Sequence, residues 1–484
     1  MLRVKAMRAR PLLTVVACGL ALIPTLSLAD APKPAATGVV APAVAPAAPS
    51  RIRFDIRRAK LDNGLRIVLA PDHASPTVAV DVVYDVGGRN EVRGHSGFAH
   101  LFEHMMFQGS ANVPRGQHFK LVTSHGGMLN GTTSEDRTNY FEMLPQSELG
   151  LAIWLEADRM KSLDVSAQNF ENQRAVVKEE YRMRVENVPY RPSEIRLQEL
   201  VFQGYFPYEH SAIGNMADLD AAQLDWVRAF HDAYYAPNNA VLVITGDFDP
   251  DEAMTLVRKH FGDAKPQPQI PPYQPGTMAV QKGQRDALVE DTHARFPAIL
   301  YGWAIPPMRD VEHYPLELLA MLLGDGESSR LNATLVRDKA IASGVDASTN
   351  DQRGPDMFEI SVKVASSSTP AAVEKALFAE LARIKATGPT DEEMKKLQAR
   401  LEAHFLLGLQ SNIARAQKLG EYELFFGDAN LLTGELDRYF AVTKADIMKV
   451  AAKYLVNDRM SRVEVKPPAP AAAPASSAPK AGGK

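Results

Sequence analysis

At 484 residues the chain exceeds what one hydrophobic core supports, since single cores stop growing near about 250 to 300 residues, so two or more globular units are expected. Hydrophobic residues make up 45% and charged residues 23%, a balance that excludes a disordered or membrane-embedded body. A formal net charge of -4 argues against nucleic acid as the partner.

In chain order, the first ten residues carry Arg3, Lys5, Arg8 and Arg10 and no acid, and the apolar run Leu12 to Pro24 leads into Ser27-Leu28-Ala29. This is the pattern of a secretory signal peptide over residues 1–29, cleaved after Ala29, which implies export to the periplasm. A membrane span needs ~20 apolar residues, and Pro24 followed by Thr25 and Ser27 cuts the run short, so no transmembrane segment is expected in the mature chain. The alternative is a lipid anchor through Cys18, because Val15-Val16-Ala17-Cys18 loosely resembles a lipobox, although only Leu12 to Ala17 precedes it. Cleavage removes four positive charges and the only cysteine, which takes the net charge to -8 and leaves packing rather than disulfides to hold the fold.

Residues 30–50 are rich in Ala, Pro and Val without period and read as a linker, and 467–484 read as a flexible tail of the same style. Between them, Lys265 to Gly276 places five prolines in twelve residues, which forbids a helix or central strand. The expected units are therefore 51–264 and 286–466, joined by a Pro-rich linker over 265–285. Each mixes β-branched strands (Thr77 to Val83; Ala240 to Thr245) with long amphipathic helices (Ser147 to Lys161; Asp391 to Leu407), which predicts an α+β fold of two α/β sandwich domains. The two units also look alike. Asp225 to Val243 and Ala445 to Val463 share a helix, a Tyr-containing end, a polar turn and an apolar strand, and Val227, Phe230 and Tyr234 correspond to Ile447, Val450 and Tyr454 at an offset of 220.

The chemistry concentrates in Ser96 to Gly109, SGFAHLFEHMMFQG, which predicts one helix with Ser96 as N-cap and Gly109 as stop. At about 100° per residue, His100 and His104 stand one turn apart on one face and Glu103 borders it. Two imidazoles at that spacing make a bidentate zinc site, and the carboxylate between them reaches a metal-bound water without being a ligand. Phe98, Leu101, Phe102, Met105, Met106 and Phe107 make the helix apolar almost all round, hence buried, and buried histidines need partners that a cation supplies.

H-x-x-E-H is the inverzincin signature, and the chain here resembles the pitrilysin/insulinase-type zinc metallopeptidases. The likeness runs from about Phe54 to Val465 and includes Gly126-Gly127, Asn130-Gly131-Thr132-Thr133 and Pro207 to Gly214 (PYEHSAIG). In that family a glutamate ligand lies some 75 residues downstream on a helix beginning E-R-x-V-[IV]. Aligning Gln173-Arg174-Ala175-Val176-Val177 puts it on Glu180, 76 positions beyond His104, with Glu179 as the adjacent alternative. The resemblance thus implies zinc held by His100, His104 and Glu180, Glu103 as general base, and an extended peptide substrate paired to the edge formed by Asn130, Gly131 and Thr132. With three ligands assigned, His210 and His95 are expected to be structural, because catalysis needs the fourth position open.

Three departures matter. Gln173 stands where many members carry a second glutamate, so a neutral group neighbours the ligand. The second half has no HxxEH, and Gly324 to Leu331 resembles the family's G-x-G-x-S-S-R-L turn, or simply ends a helix over Pro315 to Leu323. Finally, Arg337 matches the family's substrate-holding arginine, but Gly344 occupies the position of the oxyanion-stabilising tyrosine. A glycine offers no hydroxyl, so the expected partner is a homologous subunit in a heterodimer that supplies the Arg/Tyr pair. Displacement of the tyrosine elsewhere in this chain is the competing explanation. The alternative function is a non-catalytic homologue serving as an assembly or scaffold subunit, against which retention of all four residues speaks. A purely structural zinc would normally have four ligands, many of them cysteine.

Overall fold

The computed structural model describes residues 53–272 and 276–468. The signal-peptide, Cys18 and 30–50 linker assignments, and all but the first two residues of the tail, lie outside the described residues. No helix among the described residues is long and apolar enough to cross a membrane.

The fold is mixed α/β and is built on two sheets. The first contains β1 (Arg57–Lys60), β2 (Arg66–Pro71), β3 (Thr77–Tyr84), β4 (Met128–Thr133), β5 (Thr138–Pro145) and β6 (Ala240–Gly246), in the order β1-β2-β6-β3-β5-β4. The second contains β7 (Arg285–Glu290), β8 (Ala298–Ile305), β9 (Ala342–Thr349), β10 (Asp356–Val364) and β11 (Met460–Lys466), in the order β7-β11-β8-β10-β9. The second order repeats the first without a counterpart of β1. In each sheet one pair is parallel, β2 with β6 and β7 with β11, and the other pairs are antiparallel. The closing unit of each half is a helix and a strand: Leu224–Tyr234 with β6, and Lys444–Tyr454 with β11. Every boundary of the second pair lies 220 residues after the first, as the side-chain correspondence predicts. Between the helix Pro250–Phe261 and β7 the described residues form neither helix nor strand, which is the effect of the prolines.

Period-2 alternation sends Val78, Val80 and Val82 of β3 to one face and Ala79 and Val83 to the other, and both faces are buried. The first face packs on helices of its own half. The second is covered by Ala416, Leu419 and Tyr422 of the helix Asn412–Phe426, which comes from the second half. The exchange is mutual. Leu197, Leu200 and Val201 of the helix Arg191–Val201 cover Leu300, Val463 and Val465 of the second sheet. Glycines permit both contacts: a Cβ on Gly420 would sit 2.7 Å from Val83 Cγ2, and one on Gly302 would sit 2.6 Å from Val201 Cγ2.

Candidate metal centre

α1 spans Phe98–Met105, shorter than the predicted Ser96 to Gly109. Ser96 is not its cap, because the Ser96 amide and hydroxyl both donate to Asp218 Oδ2, at 2.9 and 2.6 Å. Gly97 takes the N-cap position at φ 88°, and the amides of Gly97 and Ala99 donate to the Glu91 carboxylate at 2.9 and 2.8 Å. At the other end the helix gives way to a turn after Met105, and Gly109, at φ 114°, belongs to the next loop. The apolar residues predicted to bury α1 do so: Leu101, Phe102 and Met105 are fully buried.

On the exposed side of this core, α1 meets α4 (Ala167–Tyr181), whose N-cap Ser166 accepts from the Asn169 amide. Glu180, near the end of α4, reaches both histidines. Its Oε2 lies 3.0 Å from His104 Nε2 and 3.7 Å from His100 Nε2, and the two imidazole rings stand 4.9 Å apart at 81°. One ligand atom from each of the three residues lies within 4.8 Å of the others. Glu179 instead points to Arg182 at 3.0 Å, so the choice between the adjacent glutamates falls on Glu180. Gln173, two turns before Glu180 on the same face of α4, is buried and lines the same cavity. Arg184, one turn beyond Glu180, holds its other oxygen at 2.9 Å, a contact that the sequence spacing alone does not single out.

Glu103 is fixed from the sheet. Thr133 Oγ1 of β4 donates to Glu103 Oε2 at 2.7 Å. β4 crosses α1 so closely that a Cβ on Gly131 would meet Glu103 Cγ at 2.9 Å, which explains the glycine in Asn130-Gly131-Thr132. Among the described residues β4 pairs with β5 alone, so its other edge has no strand partner beside the cluster. Asn130, Gly131, Thr132 and Thr133 line a cavity of about 660 Å³ together with His100, Glu103, His104 and Glu180.

Burial and the neighbouring His104 push the His100 imidazole down to about 4, so it is neutral with a lone pair to give. Burial also raises the Glu103 carboxyl, against the hydrogen bond from Thr133. The hydrogen bond with His104 lowers Glu180, outweighing burial. His100 is the informative group. It is 8% exposed, its Nδ1 has no hydrogen-bond partner, and its Nε2 is too far from Glu180 for one. Nε2 is the atom turned to Glu180 and His104, and a cation between the three residues would take up its lone pair and that of His104 Nε2 against the Glu180 carboxylate, so these residues fit a divalent metal.

The other predicted residues sit elsewhere. His95 stacks on Trp226 at 4.1 Å, and His210 contacts Glu91 at 2.9 Å. Arg337 pairs with Asp338 at 2.9 Å, is 65% exposed at its side chain, and does not line the cavity. Gly344 lies on β9, where an added Cβ would meet no atom within 4 Å. The helix before the glycine turn is His313–Gly324, longer than predicted at both ends. The turn itself is pinned by Arg400 on Asp325, Lys396 on Ser328 and Arg330 on Glu393. Among the described residues, two further clusters have metal-like composition. His118, Glu142 and Glu156 enclose Arg159, which already pairs with Glu156 through two hydrogen bonds. His313 faces Pro306 O and Asp351 Oδ1, both at 3.1 Å, so neither nitrogen is free for an ion.

Comparison with known proteins converges on the same region. Residues 66–204 match the model of the insulinase family, peptidase family M16, and residues 221–401 match that of the peptidase M16 inactive domain. The zinc protease PqqE of Helicobacter pylori is 31% identical over 411 residues, covering 84% of this chain and 92% of that protein. An uncharacterized zinc protease of Mycobacterium leprae is 28% identical over 422 residues, covering 85% and 91%. Among solved structures, a protease from Helicobacter pylori superposes with a TM-score of 0.81 at 30% identity, over 86% of this chain and all of that one. A peptidase M16 inactive domain from Pseudomonas fluorescens shares the fold, with a TM-score of 0.77 at 17% identity, over 87% of this chain and 100% of that one.

Proposed function

This chain belongs to the insulinase family of peptidases, family M16, and on that premise we propose that it is a zinc-dependent endopeptidase that hydrolyses peptides or unfolded segments. The observation that carries the reading is the convergence of His100 Nε2 and His104 Nε2 on the Glu180 carboxylate, with one ligand atom from each residue within 4.8 Å of the others. The match to the inactive-domain model begins at residue 221, beyond all four residues of the cluster, so it does not favour a scaffold role.

His100, His104 and Glu180 would hold the metal. Bound there, zinc supplies Lewis-acid polarisation of a peptide carbonyl and acidifies water. Glu103 does the proton work. Thr133 occupies one of its oxygens, which leaves the other to take a proton from water and return it to the leaving amine. Its raised proton affinity suits a group that must both accept and donate near neutral pH. The free edge of β4 pairs with an extended peptide, which reads backbone shape more than side-chain identity. The polar Gln173 amide beside this set adds no charge to it.

Arg337 and Gly344 support a heterodimer in which a homologous subunit supplies the arginine and tyrosine. The N-terminal sequence supports export to the periplasm. The test of the central reading is zinc quantification together with degradation of an unstructured peptide, wild type beside Glu103→Gln. The variant is expected to keep about one zinc and to lose turnover by about 10² to 10⁴. Comparable turnover in both proteins would remove Glu103 from the mechanism.

A further inference from the structure

The first amides of a helix lack partners within it, and at α1 they are satisfied from outside. Glu91 accepts from the Gly97 amide with one oxygen and from the Ala99 amide with the other, and its side chain is completely buried. A buried carboxylate needs a compensating charge, and His210 stands against it. His210 Nε2 lies 2.9 Å from Glu91 Oε2 and Nδ1 lies 2.8 Å from Phe206 O. Both ring nitrogens thus face oxygens, an arrangement that the imidazolium beside a Glu91 carboxylate satisfies at both ends. The Phe206 ring stacks on the imidazole at 4.2 Å and fixes its plane. The entry to α1 rests on the same passage, since a Cβ on Gly214 would come within 2.6 Å of Gly97 Cα.

We propose that Glu91 and His210 act as a charge-balanced clamp on the N-terminus of α1 and are positioning residues for the metal centre. The consequence for metal rests on the reading of the site given above; the clamp itself does not. Ala99, held by Glu91, immediately precedes His100, and His104 rides on the same helix one turn on. Glu180 rides on α4, a separate element. A shift or rotation of α1 therefore moves both histidines together relative to the glutamate, whose oxygen lies only 3.0 and 3.7 Å from them. Ser96 is anchored independently by Asp218, so the clamp sets the orientation of α1 within an entry point that is already fixed. This gives the histidine of Pro207 to Gly214 a task away from the metal.

The experiment uses the full chain with Glu91→Gln and His210→Gln, and Glu393→Gln in the second half as a control for general destabilisation. Hydrogen exchange of residues 98–105 is followed by mass spectrometry in the metal-free protein. Zinc affinity is measured by chelator competition, and the visible bands of the cobalt-substituted protein report ligand geometry. Both clamp variants are expected to exchange faster in α1, to shift the cobalt bands, and to bind zinc about 10- to 100-fold more weakly. Glu393→Gln is expected to change none of these. His210→Gln, which keeps a neutral donor beside Glu91, carries the test if Glu91→Gln does not fold. Wild-type exchange in α1 would overturn the clamp, and faster exchange with unchanged zinc affinity and cobalt bands would overturn its role in positioning the histidines. Faster exchange in α1 of a protein whose wild type binds no zinc would support the clamp and refute only the metal reading.

Discussion

His100 combines three properties that rarely meet without a ligand: deep burial, neutrality and no hydrogen bond. Its neighbours share the burden unequally. His104 and Glu180 hydrogen-bond each other, so removing His104 strips one ligand and leaves the Glu180 oxygen without that partner. His104→Ala is therefore expected to lose the bound zinc while retaining the fold, since α1 is held by Leu101, Phe102 and Met105 rather than by the histidine. Elemental analysis of the purified variant checks this, and unchanged metal content would disqualify the site. The placement of these side chains was legible because a helix has a fixed period: H-x-x-E-H puts both histidines on one face. Glu91, Thr133 and Arg184 were not legible, because their contacts depend on how the chain returns from elsewhere or on which oxygen a carboxylate turns.

At the scale of elements, the helices differ in how their ends are secured. The helix Asp391–Gly408 has a local capping box, Thr390 with Glu393, and Arg330 adds two bonds of 2.7 Å to the same carboxylate. The hydrogen bond from Arg330 holds Glu393 down at about 2 in the folded protein, whereas an unfolded glutamate titrates near ~4.3. The folded-state value is depressed, so this contribution is complete above about pH 4.3 and disappears as pH falls toward about 2. The midpoint of thermal unfolding of Glu393→Gln should thus lie below wild type at pH 5, and the gap should narrow as pH falls to 2.5. A constant gap across that range, measured by calorimetry, would show that Glu393 acts through something other than its charge. α1 has no such local box. Local capping is readable from four consecutive residues, but the cap of α1 is assembled from Glu91 and Asp218, and Ser96 therefore misleads.

For the whole molecule, the exchange of helices binds the halves into one folding unit. A chain truncated after Ala264 would leave Val68, Val83, Val241 and Val243 without the Asn412–Phe426 helix that covers them. It is expected to aggregate or bind an apolar dye, while the intact protein unfolds in a single calorimetric transition; a soluble, cooperatively folded truncation would contradict this. Assembly is tested at Gly344. Open space around it lets Gly344→Tyr fold normally, but Arg337 does not line the cavity, so no gain in turnover is expected for the isolated chain. A homologous partner carrying the arginine and tyrosine should supply the gain instead, about 10² to 10³ if one oxyanion donor is at stake. A comparable gain from Gly344→Tyr alone would overturn the heterodimer.

The sequence by itself determined the repeated α/β architecture, the proline-rich break and the helix that carries His100, Glu103 and His104. These depend on short-range periodicity and backbone chemistry, which act within a few residues whatever the surroundings. Tertiary structure alone decided that Glu180 rather than Glu179 faces the histidines, that Glu91 and His210 hold the start of α1, and that each half borrows a helix from the other. Those outcomes join residues between 8 and more than 300 positions apart. They arise because buried charges and apolar faces must find partners, and only the packed chain determines which partner is within reach.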